Sequence, residues 1–285
     1  MNKHLLLSSL SCLFGFLLSC NEAVNSKITS KHKQNIVSEK PAPIKAIDPY
    51  ALSKDFSNWY NYTYLQIRLA QDFTGLNADS SRIDKSNFLQ QLISGHYIPI
   101  KITSTGLPVY KLYRVNGLQE SVRSTLKQMA STELAHFNME GKDFPAFNFS
   151  DVNGHPYTSK ETRGRLVLWK CWFIRCIACV KEFPELNELV DQYKDRKDIL
   201  FISLAIDKKE DLIPFLKKNP FKYAVIPEKG PFMENQLSIG IYPTHILAGP
   251  DGEILKVTNS IEDLKPFLIK YASHGTVGID KSLPH

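Results

Sequence analysis

The sequence predicts an α/β protein: a central mixed sheet flanked by helices, preceded by a smaller, mainly helical α+β domain. Two observations lead to this prediction. From residue 141 onward, apolar runs typical of buried strands alternate with amphipathic segments typical of helices. In 48–140, helical spacing dominates and only two short runs alternate like strands. The 285 residues are 43% hydrophobic and 22% charged, which excludes collagen-like, low-complexity and wholly disordered chains.

Residues 1–19 have the pattern of an export signal. Lys3 precedes an apolar run of about fourteen residues, which is shorter than the roughly 20 needed to span a bilayer. The run ends in Leu-Leu-Ser immediately before Cys20, which resembles the lipobox of bacterial lipoproteins. That resemblance implies cleavage after Ser19 and attachment of lipid to Cys20. The alternative is an ordinary secretory peptide that happens to be followed by a cysteine.

The next segment, 20–47, is polar and lacks helical or strand periodicity, so it is predicted to be a flexible tether. It carries five lysines and two glutamates, so much of the chain's net charge of +6 lies here and in the signal. A basic tether suits a position near anionic lipid headgroups, and the charge distribution predicts no nucleic-acid partner.

Residues 48–140 are predicted to form the N-terminal domain. Apolar spacing predicts helices over 53–74, 84–94 and 119–138, and alternation predicts strands over 98–102 and 109–115. The aromatic residues of this block are interpreted as core. Because the block contains no motif that carries chemistry, the sequence assigns it no role.

Residues 141–274 are predicted to form the second domain, followed by a tail over 275–285. Strands are predicted over 165–171, 199–205, 223–226, 244–248 and 253–257, and helices over 176–193, 208–218 and 261–271. The βαβ opening predicts parallel strands. The Gly-Pro-Asp-Gly turn at 249–252 predicts an antiparallel hairpin. A mixed sheet with helices on both faces follows.

The chemistry is predicted at Cys176 and Cys179, a CxxC pair that follows a strand and opens a helix. Unpaired N–H groups at a helix start favour a thiolate, and Arg175 adds positive charge beside the first cysteine. Cys179 lies one turn later, where it can resolve a mixed disulfide formed by Cys176. Half of a zinc site and a pair of inert buried thiols are the alternatives at this point.

This region resembles the TlpA/ResA type of thioredoxin-fold thiol–disulfide oxidoreductase from about residue 141 to residue 271. The opening segment GKDFPAFNF, the CxxC and Pro184 carry the resemblance. The resemblance also implies functions for several other residues. It implies proton transfer at the thiols by Glu182, three residues after Cys179. It also implies a cis-proline loop that pairs with substrate, and the predicted substrate-binding residues are Trp172, Tyr242, Pro243 and Thr244.

The resemblance implies a thioredoxin-like fold and a membrane-anchored enzyme of the bacterial cell envelope. Such an enzyme reduces protein disulfides through its dithiol and receives electrons from a membrane partner. Acylated Cys20 would hold the chain at the bilayer, and neither a cofactor nor a metal is implied. The pair Ile177-Ala178 differs from the family's best-known pairs, so the direction of electron flow stays open.

Two other functions and three residues stay open. A peroxiredoxin-like thiol peroxidase is disfavoured because no PxxxTxxC pattern precedes Cys176. A copper or zinc module would use Cys171, Cys176 and Cys179, with His245 as a fourth ligand.

Cys171 is favoured as a packed core residue and His245 as a surface or core histidine. Lys170 is favoured as a side chain that extends to the surface, with a buried position that tunes the thiols as the alternative.

Overall fold

The computed structural model describes residues 47–103 and 105–273. The predictions for the signal segment, for Cys20, for nearly all of the tether and for the C-terminal tail therefore lie outside the described residues. Within the described part of the chain, no helix is both long enough and apolar enough to cross a membrane.

The N-terminal block contains four helices and a small four-stranded sheet in the order β2-β1-β4-β3. Strands β3 and β4 are antiparallel and lie at the two predicted strand positions, while the short β1 and β2 were not predicted. Pro99 lies in β3, an edge strand, where a missing N–H is tolerated. In chain order, the elements are α1 (Pro49–Ser53), α2 (Phe56–Gln66), β1 (Thr74–Leu76), β2 (Arg82–Ile83), α3 (Lys85–Ile93), β3 (Tyr97–Lys101), β4 (Val109–Arg114) and α4 (Glu120–Phe137).

This block has its own apolar core, in which Trp59, Phe88 and Leu126 are almost fully buried. Helix α2 ends at Gln66, eight residues before the predicted end, and the chain then runs as a loop into β1. Helix α4 contacts the second sheet at β11 (Ile254–Thr258), where Glu140 and Lys256 form an ion pair at 2.9 Å.

The second block is built around a five-stranded sheet. Asn148–Ser150 and Pro156–Thr158 form a separate, unpredicted hairpin before it. In chain order, the elements are β5 (Asn148–Ser150), β6 (Pro156–Thr158), α5 (Ser159–Thr162), β7 (Leu166–Trp172), α6 (Ile177–Lys181), α7 (Phe183–Gln192), β8 (Ile199–Ala205), α8 (Lys209–Lys218), β9 (Ala224–Ile226), α9 (Gly230–Asn235), β10 (Thr244–Ala248), β11 (Ile254–Thr258) and α10 (Ile261–Ser273).

The strand order is β11-β10-β7-β8-β9, and β7, β8 and β9 run parallel while β10 and β11 are antiparallel to their neighbours. The predicted mixed sheet and thioredoxin-like fold are thereby confirmed. The central strand β7 is buried along its whole length. Its even-numbered side chains, such as Leu168 and Trp172, pack on one face, and Val167, Trp169 and Cys171 pack on the other.

The predicted helix over 176–193 is interrupted. Helix α6 ends and α7 begins at Glu182, and Pro184 lies in the first turn of α7. A proline is tolerated there because the N–H groups of a first turn have no partner within the helix. This break fixes the direction in which Glu182 leaves the backbone.

Candidate active site

Cys176 and Cys179 lie after the end of β7, at the beginning of α6. The loop between them and the strand is held by Asp207, whose carboxylate accepts a hydrogen bond from the Ile174 N–H at 2.7 Å. Cys176 caps α6, and its sulfur accepts from the Cys179 N–H at 3.2 Å. The two cysteines form a disulfide with their Cα atoms 5.2 Å apart. Asp207 was not singled out in the sequence, because nothing local marks it as a loop anchor.

The two sulfurs differ in access to solvent. Cys176 keeps 8% of its surface exposed, whereas Cys179 is fully buried. The residues on either side of Cys176, Arg175 and Ile177, are exposed. A substrate can therefore approach Cys176 from solvent, while Cys179 is reached only through its neighbour.

A buried ionic cluster lies on the face of β7 that also carries Trp172. The Lys170 ammonium is fully buried and forms an ion pair with Glu182. The His245 Nε2 lies 3.0 Å from the same carboxylate oxygen, and the Ile261 N–H reaches the other one at 3.4 Å. Lys170 and His245 are opposite each other on the adjacent strands β7 and β10. Glu182 therefore joins the two central strands to the helix that begins at the redox pair.

The cluster keeps the Glu182 carboxyl in its ionised form. Burial alone would raise the pKa of this carboxyl, but the hydrogen bond from His245 and the charge and hydrogen bond of the Lys170 ammonium outweigh burial and lower the pKa to about 2. Burial lowers the pKa of Lys170, against the opposing effect of Glu182. Burial and the Lys170 charge lower the pKa of His245. The arrangement is therefore a carboxylate held by a buried lysine and a neutral histidine.

These positions correct one prediction and resolve another. Lys170 does not extend to the surface, because the Glu182 carboxylate gives its ammonium a partner inside the protein. Of the two positions favoured for His245, surface and core, the structure has the core one. Its Nδ1 has no hydrogen-bond partner, which agrees with a neutral ring that donates through Nε2. The sequence could not bring the three residues together, because Glu182 and His245 are 63 positions apart.

The peptide bond between Tyr242 and Pro243 is cis, at the position where the resemblance implied it. The Tyr242 ring is half-buried, contacts Phe173 edge-on at 5.4 Å, and packs against the apolar cluster that contains both cysteines. Asn259 supports this loop by donating to the Pro243 carbonyl at 2.7 Å. Asn259 was not singled out in the sequence, because its partner Pro243 is 16 positions away and no local motif links the two.

Two of the residues predicted to bind substrate are fully buried. Trp172 packs edge-on against Phe183 with ring centroids 5.0 Å apart, inside the cluster of Cys176 and Cys179. The Thr244 hydroxyl donates to the Ile241 carbonyl at 2.6 Å. Neither side chain is open to a substrate in this structure, because both are enclosed by the protein. Their predicted part in substrate binding stays a prediction.

Cys171 packs away from the redox pair. It faces the apolar core on the other side of β7 from Trp172, and burial raises the pKa of its thiol to about 12. The predicted packing role for Cys171 is thereby confirmed. Among residues 47–103 and 105–273, no group of three or more His, Cys, Asp or Glu is arranged to hold a metal ion. The three-thiolate cluster is excluded for these cysteines because strand alternation separates Cys171 from the other two.

Comparison with known proteins places this geometry in a family. Residues 141–257 match the model of the AhpC/TSA family. A thiol–disulfide oxidoreductase ResA of Bacillus cereus is 32% identical over 117 residues, which cover 41% of this chain and 67% of that protein. A ResA of Bacillus thuringiensis subsp. konkukian is 30% identical over 134 residues, which cover 46% of this chain and 77% of that protein. The chain belongs to the ResA family of thiol–disulfide oxidoreductases.

Solved structures of thiol–disulfide oxidoreductases match just under half of the chain. The thioredoxin domain of a thiol–disulfide oxidoreductase from Bacteroides vulgatus is 24% identical, with a TM-score of 0.43 over 46% of this chain and 96% of that one. A thiol–disulfide oxidoreductase from Bacteroides fragilis is 25% identical, with a TM-score of 0.42 over 45% of this chain and 98% of that one. Residues 141–257, matched by the AhpC/TSA family model, contain the CxxC, and residues 48–140 lie outside that match.

Proposed function

We propose that the protein reduces disulfides of other proteins in the bacterial cell envelope, with Cys176 as nucleophile and Cys179 as resolving thiol. The observation that carries this proposal is the disulfide between a partly exposed and a fully buried cysteine at the start of α6. The nucleophilic thiol must be accessible to the substrate disulfide, which fits the partly exposed Cys176. The resolving thiol needs to reach only the mixed disulfide at Cys176, which fits the buried Cys179.

The proposed reaction transfers two electrons. The Cys176 thiolate attacks a substrate disulfide, forming a mixed disulfide and releasing one substrate thiolate, which takes up a proton. The Cys179 thiol loses its proton and attacks Cys176, which releases the second substrate thiol and closes the enzyme disulfide. A dithiol donor at the membrane would return the two electrons.

Glu182 is the residue proposed to move protons at this pair. With its pKa at about 2 the carboxyl is ionised at neutral pH and is a weak base, so it can hold a proton from a thiol only transiently and cannot act as a resting proton donor. Lys170 and His245 act as positioning residues, since they hold this carboxylate in place.

The cellular location is proposed from the sequence pattern. Cleavage before Cys20 and acylation of its thiol would anchor the chain on the outer side of a membrane, in reach of envelope proteins. Growth with labelled palmitate tests this, because Cys20→Ala would abolish labelling of the protein while leaving its dithiol intact.

The catalytic assignment is tested with Cys176→Ser. The variant should lose at least about 10³-fold of the rate at which the reduced protein cleaves an insulin disulfide, because serine cannot form the mixed disulfide. A variant that retained the native rate would overturn the assignment. Hydrogen peroxide consumption with a dithiol donor, measured beside it, tests the peroxidase alternative.

A further inference from the structure

A cleft of about 420 Å³ lies between the N-terminal block and the sheet that carries the redox pair. One wall is formed by α2, the loop that follows it, and α4. The other is formed by the loop before β10 and the beginning of α10. This volume is in the range of pockets that bind small ligands or parts of larger ones.

The walls are apolar with polar residues at the edge. Tyr64, Met129 and Ile241 contribute apolar surface, and Tyr64 and Ile241 are 64% and 40% exposed. Tyr64 also continues a row of stacked rings on α2 that includes Phe56 and Tyr60. Exposed apolar side chains collected at one place mark an interaction site, and methionine and tyrosine suit varied partners.

The two walls are tied to each other. The Asp263 carboxylate at the start of α10 forms an ion pair with the Arg68 Nε at 3.3 Å. The Asp263 backbone carbonyl accepts a hydrogen bond from the Gln71 Nε2 at 2.7 Å. The cleft is therefore already shaped before anything enters it, which reduces the entropy lost on binding.

The cleft borders the cis-proline loop that packs against the redox pair. Ile241, in its wall, directly precedes Tyr242 and Pro243, and Tyr242 packs on the cluster that contains both cysteines. Asn259, another wall residue, holds the Pro243 carbonyl. A substrate segment that pairs with the cis-proline loop while its cysteine lies at Cys176 would therefore lie beside the cleft.

We propose that this cleft binds an extended, apolar segment of the substrate polypeptide next to its reactive cysteine, and that residues 48–140 thereby select substrates. The inference rests on the proposed disulfide reductase function. A polypeptide is favoured over a free small molecule because the cleft is open to solvent and borders the cis-proline loop, which packs against the redox pair where a substrate cysteine must lie.

Single-turnover reduction of synthetic peptides tests the proposal. The full chain is reduced, freed of reductant, and mixed with a ten-residue peptide whose cysteine forms a mixed disulfide with glutathione. One peptide carries leucine and phenylalanine around the cysteine, and the other carries glycine and serine. Each turnover converts the enzyme dithiol to its disulfide and releases one peptide thiol and one glutathione, which are measured by chromatography.

Four variants separate binding in the cleft from thiol chemistry. Tyr64→Ala removes an apolar wall and should slow reduction of the apolar peptide about five- to tenfold, the range of a moderate interface hot spot. Thr132→Arg places a charge in the cleft and should have a similar effect. Tyr64→Phe should retain the native rate. Leu65→Ala, at an exposed neighbour outside the cleft, is the matched control.

All four variants should reduce the glycine-serine peptide and oxidised glutathione within about twofold of the native rate. Equal rates for the apolar peptide in Tyr64→Ala, Thr132→Arg and the native protein would overturn the inference while leaving the reductase function intact. A parallel loss with oxidised glutathione would also overturn it, because the defect would then lie at the thiols. Failure of the native protein to reduce any of these disulfides would refute the reductase function itself.

Discussion

The fully buried Lys170 ammonium on β7 is paired with Glu182, the residue at which α6 ends and α7 begins. The pair joins the central strand to the helix that starts at the redox cysteines, and His245 completes it from β10. Because a buried charge is stable only with a partner, each member of this cluster depends on the others. The first two predictions follow from that dependence.

Replacing Lys170 by methionine should lower the free energy of unfolding by about 3 kcal/mol, because it removes a partner from a largely buried carboxylate. Urea unfolding at pH 7 measures the loss. The double variant Lys170→Met with Glu182→Met should recover part of it, since no unpaired charge then remains. Lys222→Met is the control, because its exposed pair with Asp191 is expected to contribute less than about 1 kcal/mol. Equal losses for Lys170→Met and Lys222→Met would contradict the prediction.

The Glu182 carboxylate should stabilise the fold in a pH-dependent way. Its pKa falls from 4.5 to about 2 in the folded protein, so its contribution is complete above pH 4.5 and is lost as the pH falls toward 2. The shift corresponds to about 3 kcal/mol. Stability measured from pH 7 to pH 2 should therefore fall more steeply between these values for the native protein than for Glu182→Gln. Parallel curves would refute this, and exposed Glu210→Gln should follow the native curve.

Cys179→Ser should trap the protein on its substrate. Without the resolving thiol, the mixed disulfide at Cys176 persists, whereas Cys176→Ser should form none. Non-reducing electrophoresis followed by peptide mass mapping measures the adduct and identifies the cysteine that carries it. Adducts at Cys179 in the Cys176→Ser protein, in similar amount, would reverse the proposed roles.

Cys171 should be chemically inert in the folded protein. Burial raises the pKa of its thiol to about 12, so little thiolate exists at neutral pH, and the side chain has no access to solvent. Iodoacetamide should modify it only after unfolding, as read by peptide mass mapping. Cys171→Ala should retain disulfide reductase activity within about twofold of native, because this side chain faces away from the redox pair. Rapid labelling of the native chain at Cys171 would disprove its burial.

Local pattern was enough for much of the second block. The mainly apolar runs at β7 and β8, the hairpin turn at 249–252 and the CxxC each depend on residues close together in sequence, and all were predicted correctly in type. The amphipathic pattern continues through the break at Glu182 and does not mark it, whereas Pro184, at the position of the family's helix-kink proline, indicated a disturbed helix there. Strands β1 and β2 were missed because elements of two or three residues carry no periodicity.

The sequence by itself determined that a thiol pair stands at the start of a helix behind a buried strand in a mixed sheet. It did so because apolar periodicity and residue spacing are local properties. Only the tertiary structure decided that Lys170 is buried against Glu182 and His245, that Trp172 lies behind the cysteines, and that residues from the N-terminal block form a cleft with Ile241. These relationships depend on strand register and on packing between distant segments, which a local pattern does not specify.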